Sequence, residues 1–231
     1  MRRLTSVMLV TAAVFGSSSA WAQRFGEAGD VVFAGERLMG IQGTHVYEES
    51  INPMEPDYEN DYTTISFGWR GPLSPDRHSP FDVPRLGFDV FVIDHLSVGG
   101  SLGWASSSFD NDPPGPGGAR GFGGGADGYS AFTIMPRVGY AYMFSDVFGI
   151  WPRGGVGYHS VNIDNDDNDE ESGWSLGVEC MFPIAPVPHF GFLVGPTFDI
   201  DLTGRRDEVG SIERDRRYRS FGLQVGIFGW I

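Results

Sequence analysis

The chain contains no lysine; its 16 basic residues are all arginine, against 30 acidic ones. It has a single cysteine, Cys180, so an internal disulfide is excluded. No lipid anchor is expected either, because that modification needs a cysteine directly after the leader and none stands there. Long hydrophobic runs are also missing. Only residues 4–15 come close, and they fall short of the ~20 consecutive apolar residues a membrane helix needs. If the chain enters a membrane, it does so with strands. Positive charge is scarce overall, with a formal net charge of −14. Such acidity argues against nucleic acid as a partner and against adhesion of the whole body to an anionic surface.

Arg2 and Arg3 precede the apolar run, and small residues then lead to Ala20-Trp21-Ala22. That is the layout of a Sec signal peptide over residues 1–22 with an A-x-A cleavage site. The mature chain is expected to begin at Gln23 and to form one domain over 23–231. Losing Arg2 and Arg3 takes the formal charge from −14 to −16.

Glycine (34) and proline (15) are abundant, yet the apolar residues between them alternate, which is the mark of strands and not of disorder. In HFGFLVGPTFDIDL, Phe190, Phe192, Val194, Phe198, Ile200 and Leu202 share one face, while Gly191, Gly195, Thr197, Asp199 and Asp201 share the other. A period of two is a strand. PRVGYAYMFSDVFGIWPRGGVGY at 136–158 is a hairpin of the same kind, and PRLGFDVFVIDHLSVGGSLGW at 84–104 repeats it. Further strands begin near Trp174 and Tyr62, and the last ends the chain. Residues 30–47 read either as one long strand or as a hairpin turning at Gly35-Glu36-Arg37, so the count lies between eight and ten. Three connections are tight, at Asp94, at Asp146 and at 185–188. The others, 48–61, 71–83, 110–128, 164–172 and 204–217, are long and polar.

A soluble barrel also alternates, with its apolar face inward. Here, however, the face opposite the apolar one is mostly Gly, Ser and Ala, which suits a crowded interior and not a wet exterior. Aromatics such as Trp104, Tyr140, Tyr142, Tyr158 and Trp174 mark the ends of the apolar face, as girdles do at membrane interfaces. These features indicate an all-β, antiparallel up-and-down transmembrane barrel.

At this point the chain resembles the small outer-membrane β-barrel proteins of Gram-negative bacteria, the OmpA/OmpX and opacity type. The resemblance rests on the leader, the alternating strands, the short turns and long loops, and the terminal strand FGLQVGIFGWI. In that family the last residue is usually Phe and serves recognition by the barrel-assembly machinery; here it is Ile231, with Gly229 where an aromatic is common. The resemblance implies outer-membrane localisation and contact with outer-membrane lipid and lipopolysaccharide. The family includes adhesins, anchors, small pores and a few enzymes, so fold leaves function open.

On the inward face lie Arg85, Asp89, Arg137, Arg153, Glu179, Asp199 and Asp201, with His159 and His189. Charges inside a narrow barrel must pair, so these residues are expected to form an interior network that plugs the lumen, closed by Trp151 and Phe91. The alternative is a polar path for ions or small solutes. His159-Ser160 is the one hint of hydrolytic chemistry, but neighbours on a strand face opposite ways and no acid partner can be named; no enzyme and no cofactor are expected. The acidic run Asp164, Asp166, Asp167, Asp169 and Glu170 invites calcium by its oxygen ligands but lacks the glycine of a calcium loop. The Gly/Pro segment 111–128 reads as a surface loop. Arg205, Arg206, Arg214, Arg216, Arg217 and Arg219 make the last loop cationic, first of all a solvated patch, with lipopolysaccharide phosphates or the acidic loops as the alternatives it offers.

Three readings stand: a non-enzymatic, monomeric outer-membrane barrel with a structural or surface-interaction role, a narrow channel through the same barrel, and a soluble periplasmic binding barrel. Alternation places Cys180 on the lipid face. A bulky water-soluble maleimide applied to intact membranes is expected to leave it unlabelled, and labelling would contradict the placement.

Overall fold

The computed structural model describes residues 25–50, 57–68, 79–108, 128–164, 169–207 and 214–231. The expected signal peptide and most of the Gly/Pro segment lie outside them. Ten strands form: β1 Val31–Ser50, β2 Tyr58–Phe67, β3 Arg85–Ile93, β4 Leu96–Ser108, β5 Gly128–Tyr140, β6 Tyr142–Met143, β7 Gly149–Asp164, β8 Asp169–Val187, β9 Phe190–Asp207 and β10 Arg214–Trp230. No helix occurs among the described residues.

Eight of these strands close a ring of antiparallel pairings, β1-β3-β4-β5-β7-β8-β9-β10 and back to β1. The remaining two attach to it. β6 continues β5 past Ala141 and pairs with the start of β7. β2 shares a wall position with β3: the upper half of β1 pairs with β2 (Met39↔Phe67 to Glu48↔Tyr58), the lower half with β3 (Val31↔Val90 to Glu36↔Arg85). The strand in the second position is thus interrupted. Eight wall positions with ten strand segments reconcile the sequence-based count.

β1 is a single strand of 20 residues, not a hairpin. Its register against β10 slips between Gly35↔Ile227 and Met39↔Val225, so four steps on β1 span two on β10. This bulge turns Arg37 inward beside Glu36, which alternation with Val32 and Ala34 already points inside, and Arg37 takes φ 55°, a left-handed conformation that a non-glycine residue rarely adopts. The hairpin reading arose because strict alternation would have sent Arg37 outward; the bulge removes that conflict.

Burial shows which way the faces point. Arg137 is 4% exposed and its neighbour Val138 57%; Ser220 is 2% exposed and Phe221 65%. Charged and small residues line the inside, and the apolar belt lies outside. Strands of 16–20 residues exceed the ~9–11 that cross a bilayer, and the excess projects from the end opposite the tight turns. The projection shortens loops that the sequence suggested were long: only 165–168 separate β7 from β8, and 208–213 separate β9 from β10. The expected surface loop at 71–83 also needs correcting at its end, since Phe81 and Val83 are fully buried.

Where strands curve closely, only glycine fits. Gly99 lies opposite Asp89, and a methyl there would run into the Phe88 carbonyl oxygen and stand 2.6 Å from the Asp89 Cα. Backbone cannot give way as a flexible side chain can. Gly99→Val is therefore expected to cost about 1–3 kcal/mol, read as a lower temperature for the shift from the folded to the unfolded electrophoretic band.

Candidate functional site: the filled lumen

The barrel interior is filled in four levels. At the end with the tight turns, Phe25 inserts among Phe91, Trp151, Phe228 and Trp230, with ring centroids 5.0–5.6 Å away. The segment carrying Phe25 is tied to the turn between β3 and β4: His95 N donates to Gly26 O at 2.8 Å, Gly29 N to Phe91 O at 2.8 Å, and Ala28 N to Asp94 Oδ1 at 3.0 Å. Trp151 donates through Nε1 to Ser97 Oγ at 3.1 Å, which satisfies its one polar atom.

Above this floor sits the charge cluster. Arg137 from β5 grips Glu36 with two bonds of 2.7 Å and donates from Nε to Asp89 Oδ1 at 3.1 Å. Arg153 from β7 donates to Glu36 at 2.6 Å and to Glu179 of β8 at 2.7 Å, and its guanidinium stacks over Trp151 at 4.5 Å. Arg37 donates to Glu179 at 3.1 Å and to Asp199 of β9 at 3.0 Å. Four guanidiniums, including Arg85, face four carboxylates, so the cluster is formally neutral. Glycines make room for it: a methyl on Gly87 would stand 2.6 Å from Glu36 Oε1 and 2.7 Å from Arg137 Nη2, and one on Gly139 would meet Arg153 at 2.8 Å. The alternation of arginine with glycine is thus steric, the Arg137 guanidinium lying over Gly87 and the Arg153 stem over Gly139.

The third level is a strap, residues 79–84, that enters the lumen between β2 and β3. Phe81 packs with Val46 and Tyr218, and Val83 with Ala105, Ala131, Val161 and Ile163. Arg37 Nη1 holds the strap by donating to Phe81 O at 2.7 Å. One bulge residue therefore joins the charge cluster to the strap. At the outer end, Glu171 accepts from Tyr218 Oη at 2.6 Å and from Arg216 Nη1 at 2.6 Å, and Arg206 stands 3.6 Å from Glu48.

Most of the residues expected inside come together at the centre, but Asp201, His159 and His189 stand apart and Arg85 is loosely held. Asp201 lies one level higher, accepting from Tyr218 N at 2.9 Å with His159 Nδ1 at 3.6 Å. Arg85 reaches Asp199 only at 3.9 Å, and its Nε and Nη1 have no hydrogen-bond partner among the described residues. His189 is not in the lumen: it sits in the turn between β8 and β9 with φ 63°, its Nδ1 2.9 Å from Trp230 O. Conversely, Glu36, Arg37, Phe25 and Phe81 were not anticipated. The available signal was the pair Glu36-Arg37 breaking an apolar alternation.

His159 is 2% exposed beneath Phe81, while Ser160 points to the opposite face. For the calcium reading, Asp166 and Asp167 lie outside the described residues, Asp164 ends β7, Asp169 begins β8, and Glu170 is exposed. No group of three or more His, Cys, Asp or Glu among the described residues is placed to hold a metal ion.

No family model matches the chain, and no curated protein matches it in sequence. Solved structures do. The outer membrane protein AlkL, determined in lipid bilayers, is 12% identical over 93% of this chain and 96% of its own, with a TM-score of 0.51. OprG from Pseudomonas aeruginosa is 11% identical over 87% and 96%, with a TM-score of 0.48. The outer membrane protease OmpT from Escherichia coli is 9% identical over 90% and 98%, with a TM-score of 0.45. At these identities the likeness is one of fold: the chain is a small antiparallel β-barrel of the outer-membrane type.

Glu36→Gln leaves Arg137 and Arg153 short of a shared anion in a dry interior, and is expected to destabilise the barrel by about 3–5 kcal/mol. Arg85→Met removes a guanidinium that reaches Asp199 only at 3.9 Å, and is expected to cost less than Glu36→Gln. Denaturant midpoints in detergent micelles check both, and equal losses would contradict the unequal pairing.

Proposed function

We propose that the chain is a non-enzymatic integral protein of the Gram-negative outer membrane, a sealed barrel whose projecting strand ends and loops serve a structural or surface-interaction role. The observation that carries this reading is the filling of the lumen by the chain's own groups at every level: aromatic floor, charge cluster, strap and outer clasp. An ion crossing it would have to displace salt bridges of 2.6–2.7 Å and the buried Phe81 and Trp151. The soluble alternative would leave the belt of Phe88, Val98, Val138, Val178 and Phe198 in water, a patch far larger than soluble monomers carry. Against enzymatic chemistry, the His159 ring is buried and its neighbouring serine faces away.

In this reading the leader directs export by the Sec pathway, the terminal strand of β10 serves the barrel-assembly machinery, and the tight turns face the periplasm. The barrel acts as a monomer surrounded by outer-membrane lipid and lipopolysaccharide, and calcium at the acidic hairpin is no part of it. Two measurements test the proposal. The protein should fractionate with outer membranes, and recovery in the soluble fraction would refute the location. In planar bilayers it should show no steady open level; a sustained current that Arg137 or Glu179 substitution alters would instead establish the channel.

A further inference from the structure

Strand alternation divides the arginines of β9 and β10 into two sets. Arg206 and Arg216 turn inward to Glu48 and Glu171. Arg205, Arg217 and Arg219 turn outward and are exposed. Among the described side chains these three are the only arginines on the outer surface, since Arg37, Arg85, Arg137 and Arg153 are all inside. A chain of net charge −14 with no lysine thus gathers its outward cations on one sector of the wall.

The height of that sector is informative. Arg205 lies opposite Ser172, two residues beyond Trp174, and Trp174 stacks edge-on with Tyr158 at 5.5 Å. These two rings, Arg205 and Arg217 line a surface hollow of about 340 Å³. Arg219 lines a second hollow, of about 520 Å³, together with Phe198 and Phe221. Below both runs the apolar belt, with Leu176, Val178 and Leu223 exposed. The guanidiniums therefore stand where acyl chains give way to headgroups, on the end that carries the long connections.

The geometry points to a binding site for the phosphorylated headgroup of an outer-leaflet glycolipid, with its phosphates on Arg205, Arg217 and Arg219 and its acyl chains along Trp174, Leu176 and Phe198. A planar guanidinium donates two parallel bonds to a phosphate, which is why arginine suits the task. Asp215, 3.6 Å from Arg217 Nη2, and Asp61 beside Arg219 share these hollows. The Asp215–Arg217 pair is half exposed on both sides, and water-exposed pairs hold weakly enough for a phosphate to replace the carboxylate. The site deepens the outer-membrane reading and rests on the long-connection end facing outward.

The test uses the full mature chain in phosphatidylcholine nanodiscs, titrated with bis-phosphorylated lipid A, with dephosphorylated lipid A and with inorganic phosphate. The expected order is tight retention of the phosphorylated lipid, weak retention of the other lipid and no competition by inorganic phosphate. Combined Arg205→Gln, Arg217→Gln and Arg219→Gln should weaken the phosphorylated lipid about 100-fold and leave the dephosphorylated one unchanged. Arg217→Gln alone, which removes one outward guanidinium, should weaken it about fivefold. Equal affinity for the two lipids, no loss in either variant, or full competition by inorganic phosphate would overturn the site. Because binding is read on purified protein, its failure is separable from a failure of the protein to fractionate with outer membranes.

Discussion

The Glu36 carboxylate, held at once by Arg137 and Arg153, is the contact on which the rest of the interior depends. It joins β1 to β5 and β7 across the lumen, and through Arg153 it reaches Glu179 on β8. Burying ions this deeply is costly unless each finds partners. Neutrality of the four-and-four cluster, bidentate geometry and the absence of side chains at Gly87 and Gly139 together meet that condition. Glu36 faces the axis by plain alternation with Val32 and Ala34, and the bulge that inserts two extra residues into β1 turns Arg37 in beside it. A local backbone irregularity therefore supplies the guanidinium that bonds Glu179 and Asp199, in a cluster that connects six of the eight ring strands.

The same cluster fixes register. Side chains alternate with a period of two, so a slip of one residue on β5 or β7 would carry Arg137 or Arg153 into lipid and Val138 or Pro152 into the lumen. A guanidinium facing hydrocarbon is costly, and its abandoned carboxylates would be buried without partners. A slip of two residues keeps every facing, and against it hydrophobic matching discriminates poorly when the outer belt is apolar almost throughout. The buried ions thus supply specificity that the belt cannot.

Much of the fold was legible in the sequence because its signal repeats. Phe190 to Leu202 alternates without a break, and every such strand declared both faces at once: the apolar side outward, glycine and charge inward. Arg137, Arg153, Glu179 and Asp199 were readable for the same reason. What alternation could not show is where it fails. The β1 bulge changes the facing of Arg37, so strict period-two reasoning sends the wrong residue to lipid. Asp201 follows Asp199 on the same inward face of β9 and so sits one level higher, where it meets Tyr218 N instead of the central guanidiniums. Phe81 was missed because a proline-rich polar stretch reads as a surface loop, and nothing local tells a strap that enters a lumen from one that lies over it.

The strap follows from the interrupted wall. Pairing of β4 with β3 ends at Gly103↔Arg85, and the residues of β4 beyond it pair with β5 alone. β2, which occupies the upper tier, pairs with β1 and has no strand on its other edge among the described residues. Hydrogen bonds therefore close the ring in its lower half, and side-chain packing closes it above, where Val83 lies against Ala105 of β4 and Phe81 against Val46 of β1 with Tyr62 of β2 beside them. An open edge invites pairing with another chain, and charge is one of the ways proteins prevent it. β2 carries Glu59 and Asp61, exposed and drawn to His45 at 3.2 and 2.8 Å, so the edge is anionic where it would otherwise be sticky. The acidity of this hairpin is then a consequence of the interrupted strand: the chain that leaves the wall to fill the lumen leaves an edge behind, and the carboxylates protect it.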